Sequence, residues 1–105
     1  KYYVGYYKGE ELIAVMDFIM AYPNEKTAFI GFFMTAVSTQ NAGIGSSIID
    51  DLCRYLASIR LSSVRLGWVK GNPQAEHFWH KNNFEETGIT YDTDNYTVVV
   101  AQRVL

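Results

Sequence analysis

Apolar positions gather in short runs broken by polar turns, and the runs that open the chain have no helical rhythm. KYYVGYY is rich in residues that favour strands. The turn Lys8-Gly9-Glu10-Glu11 follows, and LIAVMDFIMAY over residues 12–22 predicts the second arm of a hairpin. Pro23-Asn24-Glu25-Lys26 marks another turn before TAFIGFFMTAV, residues 27–37, so three consecutive antiparallel strands are expected. The period then changes. After a stretch carrying two glycines, Ile44, Ile48, Ile49, Leu52, Leu56 and Ile59 recur at helical spacing, with Asp50, Asp51, Arg54 and Ser58 on a polar side. SSVRLGWV returns to alternation and places Val64, Leu66 and Trp68 on one face of a strand. Its return through a helix makes it parallel to the strand of residues 27–37.

Asn72-Pro73 opens a second helix, with a side-chain cap followed by the residue best suited to the first helical position. The helix should end near Asn82, with Asn83 as its left-handed terminal residue. Residues 84–91 and 96–105 read as two strands joined by Asp92-Thr93-Asp94-Asn95. The order βββαβαββ predicts an α+β fold: a mixed, mostly antiparallel sheet with helices on both faces, one packed on each side.

Composition narrows the function classes. A chain of 105 residues, 49% apolar and 19% charged, suits one folded domain with a single core. Nine Lys and Arg are scattered among eleven acids, so no basic stripe exists for nucleic acid. A local cluster of donors for a small anion remains compatible with the net charge of −2. Cys53 is the only cysteine, which excludes an internal disulfide and four-cysteine or Cys2His2 zinc sites, and makes a reducing, cytoplasmic setting the expectation. No run is long enough for an apolar membrane helix. The chain opens in strand-like sequence at Lys1, without Met, which suggests a processed product or part of a longer chain.

The stretch TQNAGIGSSII joins the third strand to the first helix. Such a junction leaves several backbone N–H groups unpaired at the positive end of a helix dipole, which favours an anion. Gly43 and Gly45, lacking Cβ, would let a phosphate approach the backbone; a flexible joint is the alternative. No Lys-Ser or Lys-Thr follows Gly45, and Ile48 stands where a dinucleotide fingerprint needs its third Gly.

Gln40-Asn41-Ala42-Gly43-Ile44-Gly45 resembles the Q/R-x-x-G-x-G/A signature of the GNAT superfamily of acyl-CoA-dependent N-acetyltransferases. NPQAEHFWHKNNF is similar to that family's second signature, with Asn72, Ala75, Phe78, Trp79, Lys81 and Phe84 at matching places. The likeness runs from Tyr2 onward in the same element order and implies a single GNAT-like domain over residues 1–105, lacking the family's N-terminal strand and helices. It implies acetyl-CoA as co-substrate, its pyrophosphate on the N–H groups of Gln40, Asn41, Ala42, Gly43, Ile44, Gly45 and Ser46, and its pantetheine arm along Phe33, Met34 and Thr35. Asn72, Phe78, Trp79 and Lys81 complete the implied cofactor set.

Acyl transfer to an amine needs a neutral nucleophile, a stabilised oxyanion and a leaving thiolate. Neutralising a Lys-like amine at pH 7 costs roughly 4 to 5 kcal/mol, against about 2 for a departing thiol, so a missing acid is more tolerable than a missing base. Many relatives use a Tyr acid where Trp79 stands, and the run 27–37 contains no carboxylate base. Asp17, in an otherwise apolar strand, is the candidate replacement base, and the backbone N–H near Thr35 the candidate oxyanion donor. His77 and His80 could ligate a metal or act as a base, but solvent-facing histidines without a neighbouring Cys or acid cluster are the expectation, and no metal is assigned. Cys53 falls in the apolar rhythm of its helix and reads as core.

Two functional classes stay open. One is an N-acetyltransferase acting on a small-molecule or protein amine by direct attack in a ternary complex, with no nucleic-acid or membrane partner and a homodimer as one expected assembly. The other is a non-catalytic acyl-CoA-binding or sensing module.

Overall fold

The computed structural model describes residues 2–36 and 43–105. The elements are β1 (Tyr2–Lys8), β2 (Glu11–Ile19), β3 (Thr27–Thr35), α1 (Ile44–Ser58), β4 (Ser63–Val69), α2 (Pro73–Lys81), β5 (Glu85–Asp92) and β6 (Thr97–Val104). They form one six-stranded sheet in the order β1-β2-β3-β4-β6-β5. Among the described residues only β3 and β4 pair in parallel; every other neighbouring pair is antiparallel.

The mixed, mostly antiparallel sheet and the order βββαβαββ are those the hydropathy pattern predicts. The placement of the helices differs. Alternate residues of four strands, among them Met16, Ile30, Leu66 and Ala101, share one buried cluster with Ile49, Leu52 and Leu56 of α1 and Trp79 of α2. Both helices therefore lie on the same face of the sheet, where one on each face was expected. The cause lies in the strands. On the helix-covered face β4 and β6 present Leu66, Trp68, Val99 and Ala101, whereas the opposite face pairs Arg65 with Gln102 and Gly67 with Val100, a less continuous apolar surface for the narrow stripe of α2.

Secondary contacts tie the helices to each other. Asn82, 4% exposed, donates from Nδ2 to Ser46 Oγ of α1 at 3.2 Å and to the Phe78 carbonyl at 2.9 Å. Arg103 of β6 bonds Asp50 of α1 at 3.0 Å and the Asn82 carbonyl at 3.2 Å. Each helix closes in the same manner: Leu61 N–H donates to the Leu56 carbonyl and Arg60 N–H to Ala57, while Phe84 donates to Trp79 and Asn83 to His80. The residues that make these turns, Arg60 (φ 74°) and Asn83 (φ 69°), are left-handed without being glycine. Strand β2 stops at Ile19, short of Tyr22, because Ala21 turns into the left-handed region at φ 58°.

Candidate active site

The parallel pair β3–β4 is held at one end and open at the other. At the closed end Thr27 and Ser63 exchange a buried hydroxyl hydrogen bond of 2.9 Å, and the Lys26 carbonyl accepts from Ser62 and Ser63. Pairing covers only Thr27–Ser63, Ala28–Val64 and Phe29–Arg65. Beyond that point β3 stays with β2 as far as Thr35, and β4 stays with β6 as far as Val69. The sheet thus divides into two halves around a V-shaped gap whose vertex is the Phe29–Arg65 pair.

Backbone donors face this gap. Ala36 gives its N–H to the Ile13 carbonyl on β2 at 2.8 Å. Successive residues of an antiparallel strand face alternate sides, so the amides of Phe33 and Thr35 turn away from β2, while that of Met34 turns toward it. The alternation is reset just before, where Gly31 and Phe32 together oppose Asp17 in a β-bulge. The Phe33 ring lies on the helix side, its centroid 6.0 Å from that of Phe78 and 5.9 Å from that of Trp79.

Helix α1 begins beside the same opening. Its cap residue, Gly43, has φ 76° and ψ 3°, and among the described residues no side chain caps the first turn and no acid lies in it. A side chain at Gly43 would be strained by its positive φ, although no described atom lies within 4 Å of the place its Cβ would take. Gly45 is small for another reason. A Cβ there would meet the Phe78 ring at 3.2 Å, so the missing atom lets α2 close on α1. Gln40, Asn41 and Ala42 lie outside the described residues.

Asn72 is the cap of α2: its Oδ1 accepts from the Ala75 N–H at 3.1 Å. Lys81 is exposed at the other end of this helix, roughly 13 Å away at 1.5 Å per residue. Phe78, Trp79, Phe33, Gly45 and Ser46 are therefore brought together, while Asn72 and Lys81 stand apart from each other. Trp79 is 9% exposed and packs edge-on against Phe78 and Phe84 as a core residue.

Asp17 faces the sheet side that carries no helix. Its Oδ1 is shut from solvent and lies so close over Gly31 that any Cβ there would collide with it. Thr35 pairs with Ala14, whose side chain is in the helix-covered core, so its own side chain points to the face opposite Asp17. Cys53 is buried, and burial raises its thiol above the ordinary value. Tyr6 is likewise raised, first by burial and then by the Asp51 carboxylate. His77 is exposed, and His80 sits 3.6 Å from Glu86 with its ring edge-on to Trp68. Among the described residues no three His, Cys, Asp or Glu side chains gather as a metal site requires, and no helix is long and apolar enough to cross a membrane.

A family model of the GNAT acetyltransferases matches residues 1–84. The chain belongs to that family. Solved structures with the same fold include an acetyltransferase from Thermus thermophilus (TM-score 0.76, 18% identity, 92% of this chain and 59% of that one). Others are the ribosomal-protein-S18-alanine N-acetyltransferase of Escherichia coli (0.80, 15%, 97% and 68%) and a GNAT acetyltransferase from Elizabethkingia anophelis with acetyl-CoA bound (0.78, 14%, 94% and 72%). This GNAT chain thus spans about three fifths of the length of the Thermus thermophilus protein. No curated protein matches its sequence significantly.

Asp17 was a candidate from sequence, but its meeting with Arg65 and Tyr91 was not. Asp17, Tyr22, Phe29, Gly31, Arg65 and Tyr91 converge on a cavity of about 440 Å³ on the helix-free face, at the vertex of the gap. Gly31, interrupting the apolar alternation of its strand, was the one local signal of the bulge beneath it. Nothing local links Arg65 or Tyr91 to Asp17.

Proposed function

We propose that this GNAT domain is an N-acetyltransferase that moves acetyl from acetyl-CoA to a primary amine within a ternary complex. The observation that carries the reading is the parting of β3 and β4 beyond Phe29–Arg65, with backbone N–H groups turned into the opening. An extended amide-bearing arm fits such a gap because it can pair with Phe33 and Thr35 as a strand would. The start of α1, with Gly43 left-handed and no acid in the first turn, suits the pyrophosphate, and the bound Elizabethkingia anophelis relative supports this ligand class.

In the reaction the amine nitrogen attacks the thioester carbonyl, a C–N bond forms, the C–S bond breaks, and the thiolate leaves. Of the N–H groups turned into the gap, that of Phe33, two residues before Thr35 and next to the bulge opposite Asp17, is the oxyanion donor, acting where charge develops, while Thr35 holds the arm. Asp17, at the bulge beside the vertex, takes the proton that the amine must lose. Trp79 supplies no acid, being an indole in the core, so the thiolate takes its proton from water or from a tyrosine of the cavity. The test is thiol release from acetyl-CoA across a panel of amines, with the acetylated product identified by mass. Amine-dependent release supports the reading; binding of acetyl-CoA without release to any amine contradicts it and favours the non-catalytic acyl-CoA module, the reading that a buried Trp79 in place of an acid also favours.

A further inference from the structure

The helix-free cavity at the vertex holds a cation that the described residues around it do not neutralise. Arg65 projects from β4 into a space walled by Tyr22, Phe29 and Tyr91. The side chain is half-buried, and its Nε donates to Gln102 Oε1 at 2.7 Å. Among the described residues no carboxylate lies within salt-bridge distance of Arg65. A guanidinium has five donors in a fixed fork, and the Gln102 bond uses one. The two terminal nitrogens keep the planar edge that carboxylates match with paired hydrogen bonds.

The position of this cation relative to the gap matters. Phe29 and Arg65 are the last residues paired before β3 and β4 part, and both line the cavity. Asp17 enters the same space from β2, two strands from β4, roughly 10 Å across the sheet. One end of the cavity therefore presents a carboxylate, the other a guanidinium, and aromatic walls stand between them.

We infer that the acceptor is a small amine that also carries a carboxylate and an apolar body, with Arg65 reading the carboxylate while the amine lies toward Asp17 and the vertex. This rests on the acetyltransferase reading above and adds the substrate class. A simple alkylamine fills the apolar walls but leaves the Arg65 fork unused, so it is the poorer acceptor.

The experiment compares L-leucine with isoamylamine, and L-phenylalanine with phenethylamine, each pair differing by the carboxylate. The wild type should show the higher kcat/KM for the acid-bearing member. Arg65→Gln should reduce that preference about tenfold or more, carried by KM, and Arg65→Lys should restore part of it. Comparing the same pair in wild type and variant cancels the intrinsic basicity of the amines. Arg54→Gln, an exposed change on α1, serves as the control that leaves the preference intact. Equal handling of both members by the wild type, or an unchanged preference in Arg65→Gln, overturns the inference. Equilibrium binding of the same four compounds gives a second readout that needs no turnover. If acetyl transfer fails with every amine yet L-leucine and L-phenylalanine bind and lose affinity in Arg65→Gln, the pocket assignment stands and the catalytic one falls. If neither amino acid binds, the pocket assignment falls.

Discussion

At the scale of single residues Asp17 and its neighbour Gly31 bear most directly on the chemistry. Asp17→Asn keeps the shape and removes the basicity, so kcat should fall about 100-fold or more while the Kd for acetyl-CoA stays within twofold; steady-state kinetics beside a binding titration check both. Gly31→Ala puts a methyl against Asp17 Oδ1, and the carboxylate must swing away. Its expected effect is a similar loss of rate with only a small drop in melting temperature, since a short side chain can move more cheaply than backbone. Cys53 gives a pH prediction. Its thiol is raised in the folded protein above the unfolded reference of 9.0 because burial disfavours the thiolate. The sign follows from linkage: the neutral thiol's contribution is complete below pH 9 and is lost as pH rises through the folded value, so stability declines in alkali. Tyr6 shifts in the same direction and adds to the decline above its own reference of 10.0. Urea unfolding from pH 7 to 10.5 should show the fall, less steeply in Cys53→Ala than in the wild type.

At the scale of elements the two helices share a device that can be measured. Arg60 and Asn83 each hold a left-handed angle that glycine adopts without strain. Arg60→Gly should stabilise the domain by about 0.5 kcal/mol, a rise of roughly 2 to 4 °C in melting temperature by calorimetry. Asn72 works in the opposite sense: Asn72→Ala removes the cap and should cost about 1 kcal/mol, and Asn72→Ser should recover most of it. The cap, the left-handed Asn83 and the helical spacing of α1 were legible in sequence because each rests on neighbours within one turn. Which face of the sheet α2 would cover was not. An apolar stripe shows that a helix needs a partner surface, and only the pairing of β4 with β6 joins Leu66, Trp68, Val99 and Ala101 into one surface and sets Arg65, Gly67 and Gln102 among the residues of the other. The extent of the β3–β4 pairing was hidden likewise, since alternation gives the facing of a strand and not where its neighbour leaves it.

At the scale of the molecule, the division of the sheet into β1-β2-β3 and β4-β6-β5 is the feature on which binding and chemistry depend. Thr27 and Ser63 lock the closed end, and the glycine-bearing start of α1 stands at the open one. The motif around Gly43 and Gly45 was readable in the sequence, yet the structure separates the roles of the two glycines. Gly43 is left-handed, whereas Gly45 makes room for Phe78. The cavity was unreadable for a physical reason: Asp17, Arg65 and Tyr91 come from three strands and meet only through the sheet order β2-β3-β4-β6-β5. The most direct measurement is an equilibrium titration of the wild type and of Gly43→Val with acetyl-CoA, read by calorimetry and by the shift in unfolding free energy. The expected result is saturable one-to-one binding that raises wild-type stability by about 2.7 kcal/mol at a hundred times the Kd, and an affinity at least tenfold weaker in the folded variant. Absence of saturable binding to the wild type, or equal affinity in both, would contradict it.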